Sequence, residues 1–149
     1  MTIFIGADHR GFKLKNKLIE YLQNKNIRVE DMGNYEYNPE DDYPDYAQKV
    51  AEAVLQNPEE FLGIVICGSG IGVCMATNRN KGIYCGMGMN PKHVQHGRQN
   101  DHINILSISS DNSSPEEAQR MVDAFLKTQP TNNEKYTRRL KKIDGILTL

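Results

Sequence analysis

The chain has 149 residues, of which 38% are hydrophobic and 25% charged, and its formal net charge is -1. These values describe one globular domain. They exclude a disordered chain and a general basic field for nucleic acid, and apolar runs of only a few residues exclude a span of the ~20 apolar residues a bilayer requires. Three Cys without a CxxC pair, and an amino terminus without a signal peptide's basic start and apolar core, predict reduced thiols and a cytoplasmic protein.

Strand-like and helix-like patterns alternate along the whole chain. Ile3-Phe4-Ile5 is a short apolar run closed by Gly6, and Leu14, Leu18, Tyr21 and Leu22 then recur at helical spacing. Ile27 to Met32 reads as a second strand. Residues 33–45, with Gly33, Asn34, Asn38, Pro39 and Pro44, read as a loop. Ala47, Val50, Ala51 and Val54 restart the helical period. Leu62 to Cys67 is continuous and β-branched, as expected of a strand buried on both faces.

Gly68-Ser69-Gly70-Ile71-Gly72 leads into a short helix reaching about Asn78. Ile83 to Met87 predicts a fourth strand, and a polar helix from about Pro91 leads to a fifth at Ile103–Ile108. Ser114, Pro115 and Glu117 form a helix start with a capping box. Thr131 and Glu134 repeat that spacing before a last basic helix ending near Asp144-Gly145. Five strands alternating with helices predict parallel pairs joined by crossovers, in a doubly wound α/β sandwich. Ligands in such sheets bind at the carboxyl ends of the strands, so the residues after Ile5, Met32, Cys67, Met87 and Ile108 carry the interest.

Directly after the first strand, Asp8, His9 and Arg10 place an acid, an imidazole and a guanidinium side by side. Asp8 can hold a sugar hydroxyl, move a proton, or simply cap the next helix. His9 can act as acid or base or bind an anion. Arg10 by itself reads as a solvated loop residue. After the third strand, the glycines of Cys67-Gly68-Ser69-Gly70-Ile71-Gly72 let main-chain amides approach an anion or a developing oxyanion. No Gly-Lys-Ser/Thr follows, and the spacing departs from the dinucleotide fingerprint, so a nucleotide-binding module is a weak reading. Cys67 is either a base at that loop or a buried Cys ending a core strand, the commoner fate. Cys74 and Cys85 read as core residues. Lys135, Arg138, Arg139, Lys141 and Lys142 form a solvated helix face from which one or two groups could reach a phosphate. His93, His96, Arg98 and His102 lack the Cys or carboxylate company of a zinc site and read as surface residues.

Gly6-Ala7-Asp8-His9-Arg10-Gly11-Phe12, Asp42-Tyr43-Pro44 and Gly63 to Gly72 together resemble the ribose-5-phosphate isomerase B family, which includes the subunits of galactose-6-phosphate isomerase. The likeness covers nearly the whole chain in order and spacing. It implies a Rossmann-like three-layer α/β/α sandwich with a five-stranded parallel sheet, and aldose–ketose isomerisation of a sugar phosphate through a cis-enediolate, with ribose 5-phosphate to ribulose 5-phosphate as the default reaction. It also implies no cofactor, no metal, and a homodimer or homotetramer with sites at the subunit interface. The last helix, about 132–144, would pack on a partner subunit.

By the same resemblance, Cys67 is the base that moves a proton between C1 and C2, and Ser69 the hydroxyl that shuttles protons between substrate oxygens. The amides of Gly68, Gly70 and Gly72 hold the enediolate oxygen. Asp8 binds near the ring oxygen, and Tyr43 lines the sugar site. His9 and Arg139 match phosphate-binding positions, and Lys135 falls where relatives often carry Arg.

Two departures accompany these matches. Where relatives have a ring-opening His followed by Asn, this chain has Asn100 and Asp101, with His102 two residues beyond the expected His. All three are candidates for the sugar site, His102 for ring opening. Where relatives often carry an Arg after the fifth strand, this chain has Asp111, an acid expected to repel phosphate. Both departures keep open an alternative: a sugar-phosphate-binding subunit of a heteromeric isomerase.

Overall fold

The computed structural model describes residues 1–146. Five strands and six helices follow in the order β1 (Thr2–Ala7), α1 (Phe12–Asn24), β2 (Val29–Asp31), α2 (Tyr43–Leu55), β3 (Phe61–Cys67), α3 (Ile71–Thr77), β4 (Cys85–Met87), α4 (Pro91–Asn100), β5 (Ile105–Ser109), α5 (Pro115–Lys127) and α6 (Glu134–Ile146). All strand pairs are parallel, in the order β2-β1-β3-β5-β4. The expected three-layer α/β/α architecture is therefore the one observed. Among the described residues no helix is long and apolar enough to cross a membrane.

The two faces of the sheet bury separate cores, as the alternation of side chains in strands requires. Ile3, Ile5, Ile64, Ile66, Leu106 and Ile108 face Leu14, Leu18 and Leu22 of α1, Val94 of α4 and Met121, Val122 and Phe125 of α5. Val65, Cys67 and Ile105 point the other way, onto Ala47, Val50, Ala51 and Val54 of α2 and Val73 of α3. From β1 the chain steps to β2 on one side, then crosses back through α2 to β3 on the other. Connections thus diverge at the carboxyl ends of β1 and β3, the switch point at which sheets of this kind form their ligand crevice.

Local signals set the helix ends. Ser114 Oγ accepts the Glu117 amide at 3.1 Å while Glu117 Oε2 accepts the Ser114 amide at 2.9 Å, so the predicted capping box forms. The box expected at Thr131 does not. Thr131 Oγ1 accepts instead from the Asn133 amide at 3.3 Å, and Asn133 Oδ1 accepts from the Lys135 amide at 3.0 Å. Asn133, directly ahead of Glu134, is the better cap because its shorter reach meets the first free helical amides. Arg98 also departs from its surface reading. Its guanidinium lies 5.6 Å from the centre of the Phe125 ring and donates to the Ile103 carbonyl at 2.8 Å.

Candidate active site

The loop after β3 is shaped by what presses on it. Gly70 has φ of +74°, in the left-handed region that favours glycine, and a Cβ there would lie 3.0 Å from the Ser109 nitrogen. A Cβ at Gly68 would lie 2.6 Å from Arg10 Cζ, and one at Gly72 would lie 2.6 Å from Tyr43 Cζ. The glycines therefore admit one side chain from the loop after β1 and one from the start of α2, as well as a turn.

The end of β5 holds this loop by its carbonyls. Ser109 Oγ donates to the Gly68 carbonyl at 2.7 Å, and Ser107 Oγ donates to that of Gly70. The Ser110 amide donates to the Cys67 carbonyl and the Asp111 amide to that of Gly68, each at 3.0 Å.

Cys67, the last residue of β3, is 4% exposed. The Gly70 amide donates to its Sγ at 3.2 Å, so the turn aims an N–H at the sulfur. Ser69 is exposed, and its Oγ accepts from the Ile71 amide at 3.2 Å. The sulfur also packs on the α2/α3 side of the core, as a Cys ending a core strand does.

Asp8 is buried, and its Oδ1 accepts from the amides of Arg10 at 3.0 Å and Gly11 at 3.1 Å. It thus organises the start of α1 and sits at the crevice as well. His9 is held from the loop before α2. Asp41 Oδ1 accepts from the His9 amide at 2.9 Å and lies 2.7 Å from His9 Nδ1, while Asp41 Oδ2 accepts from Asn34 Nδ2 at 2.8 Å. With Nδ1 committed, the ring presents Nε2 for other contacts.

Burial pushes the Asp41 carboxyl up, but the bonds from the His9 amide, the His9 ring and Asn34 outweigh it, and the net shift is downward from 3.8. A carboxyl lowered on folding stabilises the protein above its unfolded value, and that stability is lost as pH falls through the folded value. Unfolding midpoints in urea are therefore expected to fall below about pH 4. Asp41→Asn is expected to flatten that acid limb; an unchanged limb would show that Asp41 does not contribute to it.

Asp41 and Asn34 were not singled out from the sequence, and neither were Ser107, Ser109 and Ser110. Their only signal was position, since each lies on or beside the carboxyl edge of the sheet. Asp8, His9 and Asp41 present possible ligand atoms within 4.8 Å of one another. The His9–Asp41 bonds and the two amides on Asp8 account for that closeness.

The remaining candidates lie elsewhere in the chain. α4 runs back from the carboxyl edge, so Asn100, Asp101 and His102 lie near the amino ends of β4 and β5, opposite Cys67. Asn100 Nδ2 is 3.2 Å from His96 Nδ1. His102 has φ of +52°, and its Nε2 is 2.8 Å from the Thr131 carbonyl oxygen. Leu140, Ile143 and Asp144 of α6 line a cavity with Tyr84 and Ile103 at this same edge. Lys135 and Arg139 are exposed on α6, each 5.8 Å from the Tyr136 ring centre. One chain thus unites Asp8, His9, Tyr43, Cys67, Ser69 and the glycines, and sets the other candidates apart.

Cys74 and Cys85 are half-buried instead of fully enclosed, because they lie at the margin where α3 meets edge strand β4. Hydrogen bonding to Cys85 lowers the Cys74 thiol to about 7, whereas burial pushes Cys85 up.

A parallel α/β sandwich with a thiol, a glycine-rich turn and an acid–imidazole pair at one switch point defines a class of protein that binds small polar ligands at a sheet edge. The chain belongs to the ribose/galactose isomerase family, whose model matches residues 3–143. It is 42% identical over 141 residues to a probable ribose-5-phosphate isomerase B of Mycoplasma pneumoniae, covering 95% of this chain and 91% of that one. The crystal structure of ribose-5-phosphate isomerase B from Mycoplasma genitalium with bound ribulose 5-phosphate superimposes with a TM-score of 0.93 at 39% identity, covering 99% of this chain and 96% of that one. The Thermotoga maritima ribose 5-phosphate isomerase superimposes with a TM-score of 0.92 at 38% identity over 97% of both chains.

Proposed function

We propose that this protein interconverts ribose 5-phosphate and ribulose 5-phosphate through a cis-enediolate, with the Cys67 thiolate as base. The observation that carries the reading is the Cys67 sulfur at the tip of β3, under the Gly70 amide and on a turn whose glycines admit Arg10 and Tyr43. The bound ribulose 5-phosphate of the Mycoplasma genitalium relative supports the substrate.

In the forward direction Cys67 takes the proton from C2 of the open-chain aldose, and electrons shift to O1 as the enediolate forms. The amides of the 68–72 turn stabilise that charge. Ser69 passes a proton between O1 and O2, and Cys67 returns its proton to C1, leaving the ketose. Asp8 meets the ring oxygen or neighbouring hydroxyls, Tyr43 lines the sugar, and His9 contacts the phosphate.

We infer that the working unit is a homodimer or larger homo-oligomer in the cytoplasm, with the last helix packed on a partner subunit. The separation of Asn100, Asp101, His102, Lys135 and Arg139 from Cys67 supports this, because a second copy can bring its own set to the first copy's crevice. A coupled assay for ribulose 5-phosphate on the purified chain tests the reaction; no turnover of ribose 5-phosphate would reject it. Mixing inactive Cys67→Ala with inactive Arg139→Ala protein is expected to restore part of the activity if sites are shared. No recovery after subunit exchange would reject sharing.

A second reading is favoured by Asn100, which puts an amide where relatives carry the ring-opening His. In it, the chain is a sugar-phosphate-binding subunit of a heteromeric isomerase of the galactose-6-phosphate type. Full activity of the lone chain would exclude it.

A further inference from the structure

Arg10 and Asp111 are 101 positions apart in sequence and form an ion pair between Arg10 Nη2 and Asp111 Oδ2. Their side chains are 55% and 44% exposed, and exposed pairs of this kind contribute little to stability. What the pair does is fix a guanidinium in space. Arg10 lies directly over Gly68, and its backbone amide is held by Asp8 Oδ1 at 3.0 Å. Asp111 is anchored in turn by its own amide to the Gly68 carbonyl at 3.0 Å. Two loops from different strands therefore hold one cation above the turn that follows Cys67. A side chain at position 68 would collide with it.

We propose that Arg10 binds the anionic group of the substrate and that Asp111 positions it. An arginine fork has five N–H donors, and a single carboxylate engages only part of it. The Arg10 side chain is 55% exposed, so Nε and Nη1 remain to meet an anion arriving from solvent. Asp111 thereby changes meaning. Alone it would repel a phosphate; paired, it surrenders its charge to Arg10 and holds the fork for the incoming anion. The chemistry this recognises is a phosphate monoester. Its identity as that of a pentose phosphate rests on the isomerase reading above.

The test uses the full-length protein and its Arg10→Ala, Arg10→Lys, Asp111→Ala and doubly substituted forms. Inorganic phosphate binding is followed by NMR titration, and kcat and KM are measured with ribose 5-phosphate. Arg10→Ala is expected to weaken phosphate binding and raise KM by roughly 10–100-fold, the range for a lost charge-assisted contact, with kcat changed by less than about threefold. Arg10→Lys is expected to recover part of the affinity, since it keeps the charge without the fork.

Asp111→Ala is expected to raise KM, and to add almost nothing in the Arg10→Ala background. A fall in KM, an unchanged KM, or a full effect of Asp111→Ala without Arg10 would overturn the positioning role. Phosphate affinity within about twofold of the original in Arg10→Ala would overturn the binding role. If the unsubstituted chain turns over no pentose phosphate yet loses phosphate binding with Arg10, the isomerase reading falls and this one stands. Normal turnover with phosphate binding indifferent to Arg10 is the reverse.

Discussion

Cys67→Ala is expected to lower kcat by about 10²–10⁴-fold, the usual contribution of a positioned general base. The fold is expected to survive. The sulfur is small and at the end of a strand, and alanine keeps the β3 backbone and its ladder to β5. Some loss of stability follows from the small void on the α2/α3 side, of order 1 kcal/mol. Activity and stability therefore separate. Circular dichroism and the urea midpoint should remain near those of the parent while the coupled assay collapses. Ribulose 5-phosphate should still bind to the inactive variant, because the substitution leaves the groups proposed to hold the phosphate in place. A variant that kept near-normal turnover would reduce Cys67 to a core residue and leave the mechanism without its base.

Asp31→Ala is expected to be the most destabilising substitution near the site. Lys15 on α1 is completely buried, and its Nζ lies 2.7 Å and 2.6 Å from the two oxygens of Asp31 at the end of β2. Removing the carboxylate leaves a buried ammonium without its counter-ion, which typically costs 3–5 kcal/mol. The Asp31 side chain is 31% exposed, so water can partly replace it, and about 3 kcal/mol is expected.

Asp31 Oδ1 also accepts from the Gly33 amide at 2.9 Å, at the head of the loop that delivers Asp41 to His9. The variant should therefore lose activity as well as stability. Lys15→Met in the Asp31→Ala background is expected to regain much of the stability, because an apolar chain of similar length needs no partner. Urea denaturation of the two single and the double variants measures this. Equal midpoints for Asp31→Ala and the parent would mean that Lys15 finds other solvation.

The residues around Lys15 show where reading from sequence stops. At helical spacing, Leu14 and Leu18 announce a buried face, and a Lys between them gives no sign that it is enclosed. Its partner is 16 positions away on another element, and only the packing of α1 against the end of β2 brings them together. His9 and Asp41, 32 positions apart, are joined the same way. Arg10 and Asp111 are the extreme case: separately each read as a bland or unfavourable residue, and although 101 positions apart they form an ion pair. His102, a ring-opening candidate, turned out to lie across the sheet from Cys67 in its own chain. In a parallel sheet the residues that precede a strand lie at its amino edge, whereas Cys67 ends one, so the predicted order of elements already separated the two.

What the sequence determined by itself was everything written in short-range pattern. Continuous apolar runs set the strands and helical apolar spacing the helices, glycines marked the turn after β3, and the Ser114–Glu117 spacing marked a helix start. Such signals are local because they arise from backbone geometry and burial within a few residues. The strand order β2-β1-β3-β5-β4, the crevice between β1 and β3, and the charge pairs across it were decided only in three dimensions. They depend on contacts between loops far apart in the chain, and no local periodicity encodes which distant charge will neutralise which.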